Sequence, residues 1–249
     1  MLMKLFDIIT LFPQAFPGTL DLSVIKKSRG KAWDMRLHDM RKFGVGNHYQ
    51  VDDQVFGGFA GMLIRPDVID NAMKEICSIE NDSSLDYAKC ADSNKCDILQ
   101  SDSSKQNKRH RIFLSPRGKV LNQNLVEELA YSADDVLLLC GRYEGVDARA
   151  IEYFQFEEIS IGNYILAGAE VAAMVMMEAI IRKIPGVLGN LGSMAQETFV
   201  NDEISEPRYT RPAIWKTHLG DSIAVDQILL SGNHKKIAEF QKSRRKKIE

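Results

Sequence analysis

Three short stretches combine glycine with polar and apolar side chains in a way that could build a ligand pocket. They are Ser115-Pro116-Arg117-Gly118-Lys119, Gly141-Arg142-Tyr143-Glu144-Gly145-Val146-Asp147, and Ser160-Ile161-Gly162-Asn163-Tyr164-Ile165-Leu166-Ala167-Gly168. Glycine tolerates positive φ and lets backbone approach a flat ligand such as adenine, while Ile161, Tyr164 and Leu166 can wall it. Taken alone, such glycines read more simply as tight turns. No G-x-G-x-x-G follows a strand and no G-x-x-x-x-G-K-[ST] occurs, so the signatures of dinucleotide and phosphate-loop binding are both missing. Two further stretches could grip phosphates: Lys26 to Lys42 has seven Lys or Arg against two Asp, and Lys235 to Glu249 has seven against two Glu. A charge run by itself reads more simply as a solvated helix face or a tail.

Something must bring the three glycine loops together, and the surrounding pattern supplies it. Leu5–Thr10 reads as a strand, and Arg65-Pro66-Asp67 opens a helix whose Val68, Ile69, Ala72, Met73 and Ile76 recur at helical spacing. Then follow a strand over Arg111–Leu114, a helix over Asn122–Tyr131, the strand Asp135–Cys140, a helix over Val146–Phe154, a strand over Phe156–Ile161 and a long apolar helix over Ala169–Ile184. Strand-helix alternation predicts an α/β domain with a parallel sheet, whose ligands sit where strands end. All three glycine loops follow strands, so they are predicted to converge on one edge of that sheet.

Residues 78–110 are mostly Asp, Ser, Lys, Asn and Gln and read as a flexible insertion without catalytic content. The Gly-, Ser- and acid-rich segment 189–208 reads as an interdomain linker, dividing a domain of residues 1–188 from a small C-terminal domain of residues 209–249. No run of 18 apolar residues could span a bilayer, and the apolar opening to Leu11 lacks a basic flank and a cleavage site. Cys77, Cys90, Cys96 and Cys140 show no paired C-x-x-C spacing, which argues against zinc and against a disulfide framework. These features predict a soluble, cytoplasmic protein with reduced thiols and no membrane partner. With 32 basic against 34 acidic residues the chain is also no simple polyanion coat.

The segments G-R-Y-E-G-V-D, S-I-G-N-Y-I-L-A-G, I-P-G-V-L-G (Ile184 to Gly189), Y-T-R-P (Tyr209 to Pro212) and L-L-S-G-N-H (Leu229 to His234) occur together in this order. With I-I-T-L-F-P near the N-terminus and V-D-D-Q-V-F-G-G-F-A-G-M (Val51 to Met62), the constellation resembles the bacterial tRNA (guanine-N1)-methyltransferases, the TrmD family of the SPOUT superfamily, over nearly the whole chain outside 78–110. The resemblance implies a SPOUT methyltransferase domain with a C-terminal trefoil knot, a small, mainly helical C-terminal domain that binds the tRNA anticodon branch, and a homodimer. It implies S-adenosyl-L-methionine held by Leu114, Ser115, Pro116, Gly141, Tyr143, Glu144, Ser160, Ile161, Gly162, Asn163, Tyr164, Ile165, Leu166 and Gly168. The implied reaction is methylation of N1 of guanosine 37, beside the anticodon, supporting the reading frame.

Guanine N1 carries a proton, so a base must remove it while positive charge polarises O6. The resemblance places Arg182 at the arginine position and Glu197, in S-M-A-Q-E-T-F, where the family usually has an Asp base; Glu keeps the carboxylate on a longer arm. Asp52 matches a residue that contacts the guanine, with His48 in the same loop. Glu144, with Glu197, matches a carboxylate site for Mg²⁺; the plainer reading of Glu144 is an acid paired with Arg142 or Arg149. A second departure is Phe59, which stands where the family usually has a third glycine. Two other readings stay open at this point: an RNA-binding SPOUT protein weakened in catalysis, and a ribose 2'-O-methyltransferase.

Overall fold

The sequence Lys4–Thr10 (KLFDIIT) has little of the polar alternation of a half-solvated strand, and nearly every side chain in it is buried. That is the pattern of a strand inside a parallel sheet covered on both faces. In the computed structural model, which describes residues 3–79, 109–188, 198–199 and 203–247, this strand is β1. It is followed by α1 (Ser23–Ser28), β2 (Trp33–Asp39), the short strands β3 (Asp52–Gln54) and β4 (Met62–Ile64), and α2 (Pro66–Ile79). Then come β5 (Arg109–Val120), α3 (Gln123–Tyr131), β6 (Asp135–Cys140), α4 (Ala148–Tyr153), β7 (Glu157–Ser160) and α5 (Glu170–Ile181).

The expected parallel sheet is present, in the order β2-β1-β6-β5-β7 with every pair parallel. One face carries Phe6, Ile8, Ile112, Val136 and Leu138 against α3 and α5. The other carries Ile9, Phe113, Leu137 and Leu139 against α2 and α4. Both layers are apolar, so the sheet is anchored from two sides and its strand ends are fixed points for the loops that follow.

Three differences from the sequence reading have local causes. β2 is an edge strand whose Asp34, Arg36 and His38 interrupt the apolar pattern, which hides it from a periodicity argument. β5 does not stop at Leu114; it bulges over Ser115 to Gly118 and re-pairs with β7 at Lys119↔Ile159 and Val120↔Ser160. Pro116 has no N–H for the ladder, and Gly118 lies so close to β7 that a Cβ there would come 2.3 Å from the Glu158 carbonyl carbon. α4 starts at Ala148 because Asp147 caps it, its carboxylate accepting from the Arg149 N–H at 3.0 Å.

The chain divides into two compact units, Met1–Leu188 and Gly189–Glu249. The second holds β8 (Glu203–Ile204), the hairpin of β9 (Ile214–Lys216) and β10 (Ser222–Ala224), α6 (Gln227–Leu230), α7 (His234–Ser243) and β11 (Lys246–Lys247). Strands thus accompany its helices, and β8 pairs with β11. Arg245 ties this pair down through Glu203 at 3.2 Å and Glu206 at 3.0 Å. Most of the expected 78–110 insertion and much of the expected 189–208 linker lie outside the described residues.

Candidate active site

The bulge in β5 and the loops after β6 and β7 enclose a cavity of about 410 Å³ at the carboxyl edge of the sheet. Every residue assigned above to the cofactor lines it except Asn163. The walls are largely backbone and apolar side chain, contributed by Leu114 to Arg117, Gly141 to Val146, Ile159 to Gly162 and Tyr164 to Ala169. Ser160 Oγ steadies the last of these loops, donating to the Gly162 carbonyl at 2.9 Å and accepting from its N–H at 3.2 Å.

The loops are locked to one another by a group that the sequence reading does not assign. Arg142 leaves the end of β6 and sends Nη2 to Glu170 Oε2 at 2.8 Å and Nη1 to the Ala167 carbonyl at 3.1 Å, with its guanidinium 4.3 Å from the centre of the Phe12 ring. Glu170, 2% exposed at the start of α5, also accepts from Thr10 Oγ1 at 2.8 Å. One guanidinium therefore joins the ends of β1 and β6, the loop after β7 and the first turn of α5. Gly168 permits it: a Cβ there would stand 2.2 Å from Arg142 Nε. The sequence signal was an acid opening α5 (EVAAMVMMEAII), whose one other polar residue is Glu178, opposite an arginine at a strand end.

A second brace comes from the β3–β4 hairpin. Glu144 N–H donates to the Met62 carbonyl, Ile64 N–H to the Gly145 carbonyl and Asp147 N–H to the Ile64 carbonyl, each at 3.0 Å. Within this clamp Tyr143 sits at φ 58°, the left-handed region a tyrosine seldom adopts. Burial pushes its phenol pKa up, and the neighbouring Asp52 carboxylate, to which it is hydrogen-bonded, pushes in the same direction. Asp52 does not line the cavity but is joined to it through Tyr143.

The remaining assignments are spread more widely. His48 is exposed in the turn before β3 and Arg182 caps the end of α5, its N–H donating to the Glu178 carbonyl at 3.1 Å; neither lines the cavity. Glu197 lies outside the described residues. The plainer pairing of Glu144 is not seen, since Arg142 takes Glu170 and Arg149 takes Asp147 at 2.7 Å. Among the described residues Glu144 is the one carboxylate lining the cavity, and no three His, Cys, Asp or Glu side chains converge as a metal site. A larger cavity, about 530 Å³, lies in the second unit, where Arg208, Arg211 and Arg244 line it with Tyr209 and Phe240.

An open parallel sheet with a backbone-lined cavity at its carboxyl edge, and no phosphate loop, defines an α/β domain suited to a nucleoside-type ligand. The family described as tRNA (Guanine-1)-methyltransferase TrmD matches residues 3–248. The chain belongs to this family. It is 40% identical over 235 residues to the tRNA (guanine-N(1)-)-methyltransferase of Roseobacter denitrificans, covering 94% of this chain and 85% of that one. Identity is 40% over 237 residues to the enzyme of that name from Neorickettsia sennetsu, covering 95% and 90%, and 39% over 233 residues to that of Ehrlichia canis, covering 93% and 86%. Among the described residues no helix is long and apolar enough to cross a membrane.

Proposed function

We propose that this protein transfers a methyl group from S-adenosylmethionine to N1 of guanosine 37 in tRNA, beside the anticodon, in the cytoplasm. The observation that carries the reading is a family match over almost the whole chain, together with a cavity walled by the three glycine loops. The residues present suit the methyl donor. A cavity of this size lies within the roughly 300–1,000 Å³ range of small-molecule sites, and its glycines leave backbone free to meet a flat base. When bound, the cofactor supplies an electrophilic methyl on a sulfonium.

The chain's own groups then divide the work. Glu197 removes the proton from guanine N1, Arg182 stabilises the charge that develops on O6, and Asp52 holds the guanine edge, with His48 in the same loop. Arg142 and Glu170 keep the cofactor loops in register, which matters because methyl transfer needs donor and acceptor in line. Mg²⁺ would be held by Glu144, which lines the cavity, together with Glu197, and no step is assigned to it.

The three strand-end loops closing on one cavity suit a trefoil knot, and exposed Val171 and Val175, one turn apart on α5, suit a homodimer contact. The basic run from Lys235 to Lys247 and the arginine-lined cavity of the second unit suit phosphate contacts along the anticodon branch. The test is transfer of labelled methyl to unmodified tRNA with guanosine at positions 36 and 37, in wild type and in Glu197→Gln. Transfer to N1 that collapses in the variant is expected. Cofactor binding without transfer by the wild type would overturn the enzymatic reading, and activity surviving in the variant would remove Glu197 as the base.

A further inference from the structure

The β3–β4 hairpin ends in Val55-Phe56-Gly57-Gly58-Phe59-Ala60-Gly61, a tip without a single charged side chain. Phe56 is 89% exposed there and Phe59 75% exposed. Gly57, Gly58 and Gly61 take φ values of 88°, 79° and 99°, so the tip is a tight left-handed turn that pushes both rings outward with no bulk around them. One edge of the Phe59 ring lies beside Gly57, where a Cβ would come 3.5 Å from its Cε2 and 3.6 Å from its Cδ2, and the ring stays largely exposed. The base of the hairpin is hydrogen-bonded to the loop that lines the cofactor cavity, and Gly61 packs so closely on Glu144 that a Cβ would meet its Cγ at 2.4 Å.

We propose that this tip is a stacking platform for one unstacked nucleobase of the RNA, with Phe59 as the principal ring, an inference that rests on the tRNA reading above. The chemistry selects a flat partner. Two isolated phenyl rings among glycines and alanine offer faces, not the broad continuous patch that a protein or lipid partner would bury. Stacking on aromatic side chains is the sequence-tolerant way in which single-stranded bases are held. The tip carries no carboxylate of its own; Asp52 and Asp53 stand at the hairpin base and Glu144 packs against Gly61. Asp52 on the same hairpin is placed to read a base edge while Phe59 holds a base face.

The experiment measures Kd for an anticodon stem-loop RNA and, in parallel, Kd for S-adenosylmethionine, in wild type, Phe59→Ala, Phe59→Leu and Phe59→Tyr. Loss of one base stack weakens RNA binding by about 5- to 150-fold. Phe59→Ala and Phe59→Leu are expected in that range, with Phe59→Tyr within about twofold of wild type because the ring survives. The unchanged cofactor Kd shows that the site remains folded. RNA binding unaffected in Phe59→Ala, or restored by Phe59→Leu, overturns the proposal. So does a fall in sedimenting mass of Phe59→Ala, which would seat the ring on a second copy of the chain. A wild type that binds the cofactor but no stem-loop sinks the tRNA reading itself.

Discussion

Arg142→Met tests whether the guanidinium holds the cofactor loops together. The side chain it leaves behind, Glu170, is buried, while that of Arg142 is 26% exposed. Removing one partner of a buried pair costs about 3–5 kcal/mol, because the other charge stays desolvated and unpaired. Thr10 Oγ1 still donates to Glu170 in the variant, and solvent reaches the arginine position, so the low end of about 3 kcal/mol applies. For a unit of this size each kcal/mol moves the melting temperature by about 2–4 °C, which gives a drop of roughly 6–12 °C by thermal denaturation. Loss of the charged hydrogen bond to the Ala167 carbonyl frees the 161–168 loop and should weaken cofactor binding on the order of tenfold, measured by calorimetry. Glu170→Gln in the Arg142→Met background removes the stranded charge, so the double variant should be less destabilised than the sum of the singles. Arg142→Met melting within about 2 °C of wild type, or strictly additive effects of the two substitutions, would refute a role for this pair in holding the loops.

Acid titration should expose Asp7, fully buried in β1. Arg36 binds it twice at 2.8 Å, His38 Nε2 lies at 2.7 Å and Arg109 Nη2 at 3.4 Å. Burial alone would raise its carboxyl pKa, but the His38 and Arg36 hydrogen bonds and the Arg109 charge outweigh burial and hold it below the ordinary 3.8. A depressed folded-state value stabilises above the unfolded value and loses that contribution as pH falls through the folded one. Asp7→Asn should therefore melt well below wild type at pH 7, with the gap narrowing as pH drops beneath 3.8; a gap constant with pH would count against the pairing. Cys140 is wholly buried in β6, and burial, reinforced by the Glu170 charge, pushes its thiol well above the usual value. It should resist iodoacetamide at pH 8 in the native protein and react in denaturant, as read by peptide mass spectrometry; native labelling would show that the strand end opens.

How much of this was legible in the sequence depends on whether a feature is local. The run V-L-L-L-C of β6 and the helical spacing of Val68 to Ile76 are local patterns, and the elements they predict are present. So is the succession of glycine loops after strands, which is why these loops surround one cavity; the individual cofactor residues came from the family resemblance, and all but Asn163 line it. β2 was hidden because an edge strand mixes charge with apolar residues, and the β5 bulge because Gly118 answers to the backbone of β7, some forty positions away. The Arg142–Glu170 pair spans 28 positions and draws in Thr10, so no spacing rule could announce it. Yet its trace was there, as an acid opening a helix with almost no other polar residue. A buried charge at the head of an apolar helix demands a partner, and the partner must come from whatever strand end the helix packs beside. In a parallel α/β sheet that strand end is also where ligands bind. The same constraint that satisfies Glu170 therefore fixes the walls of the candidate site, and stability and function share a residue here by geometry.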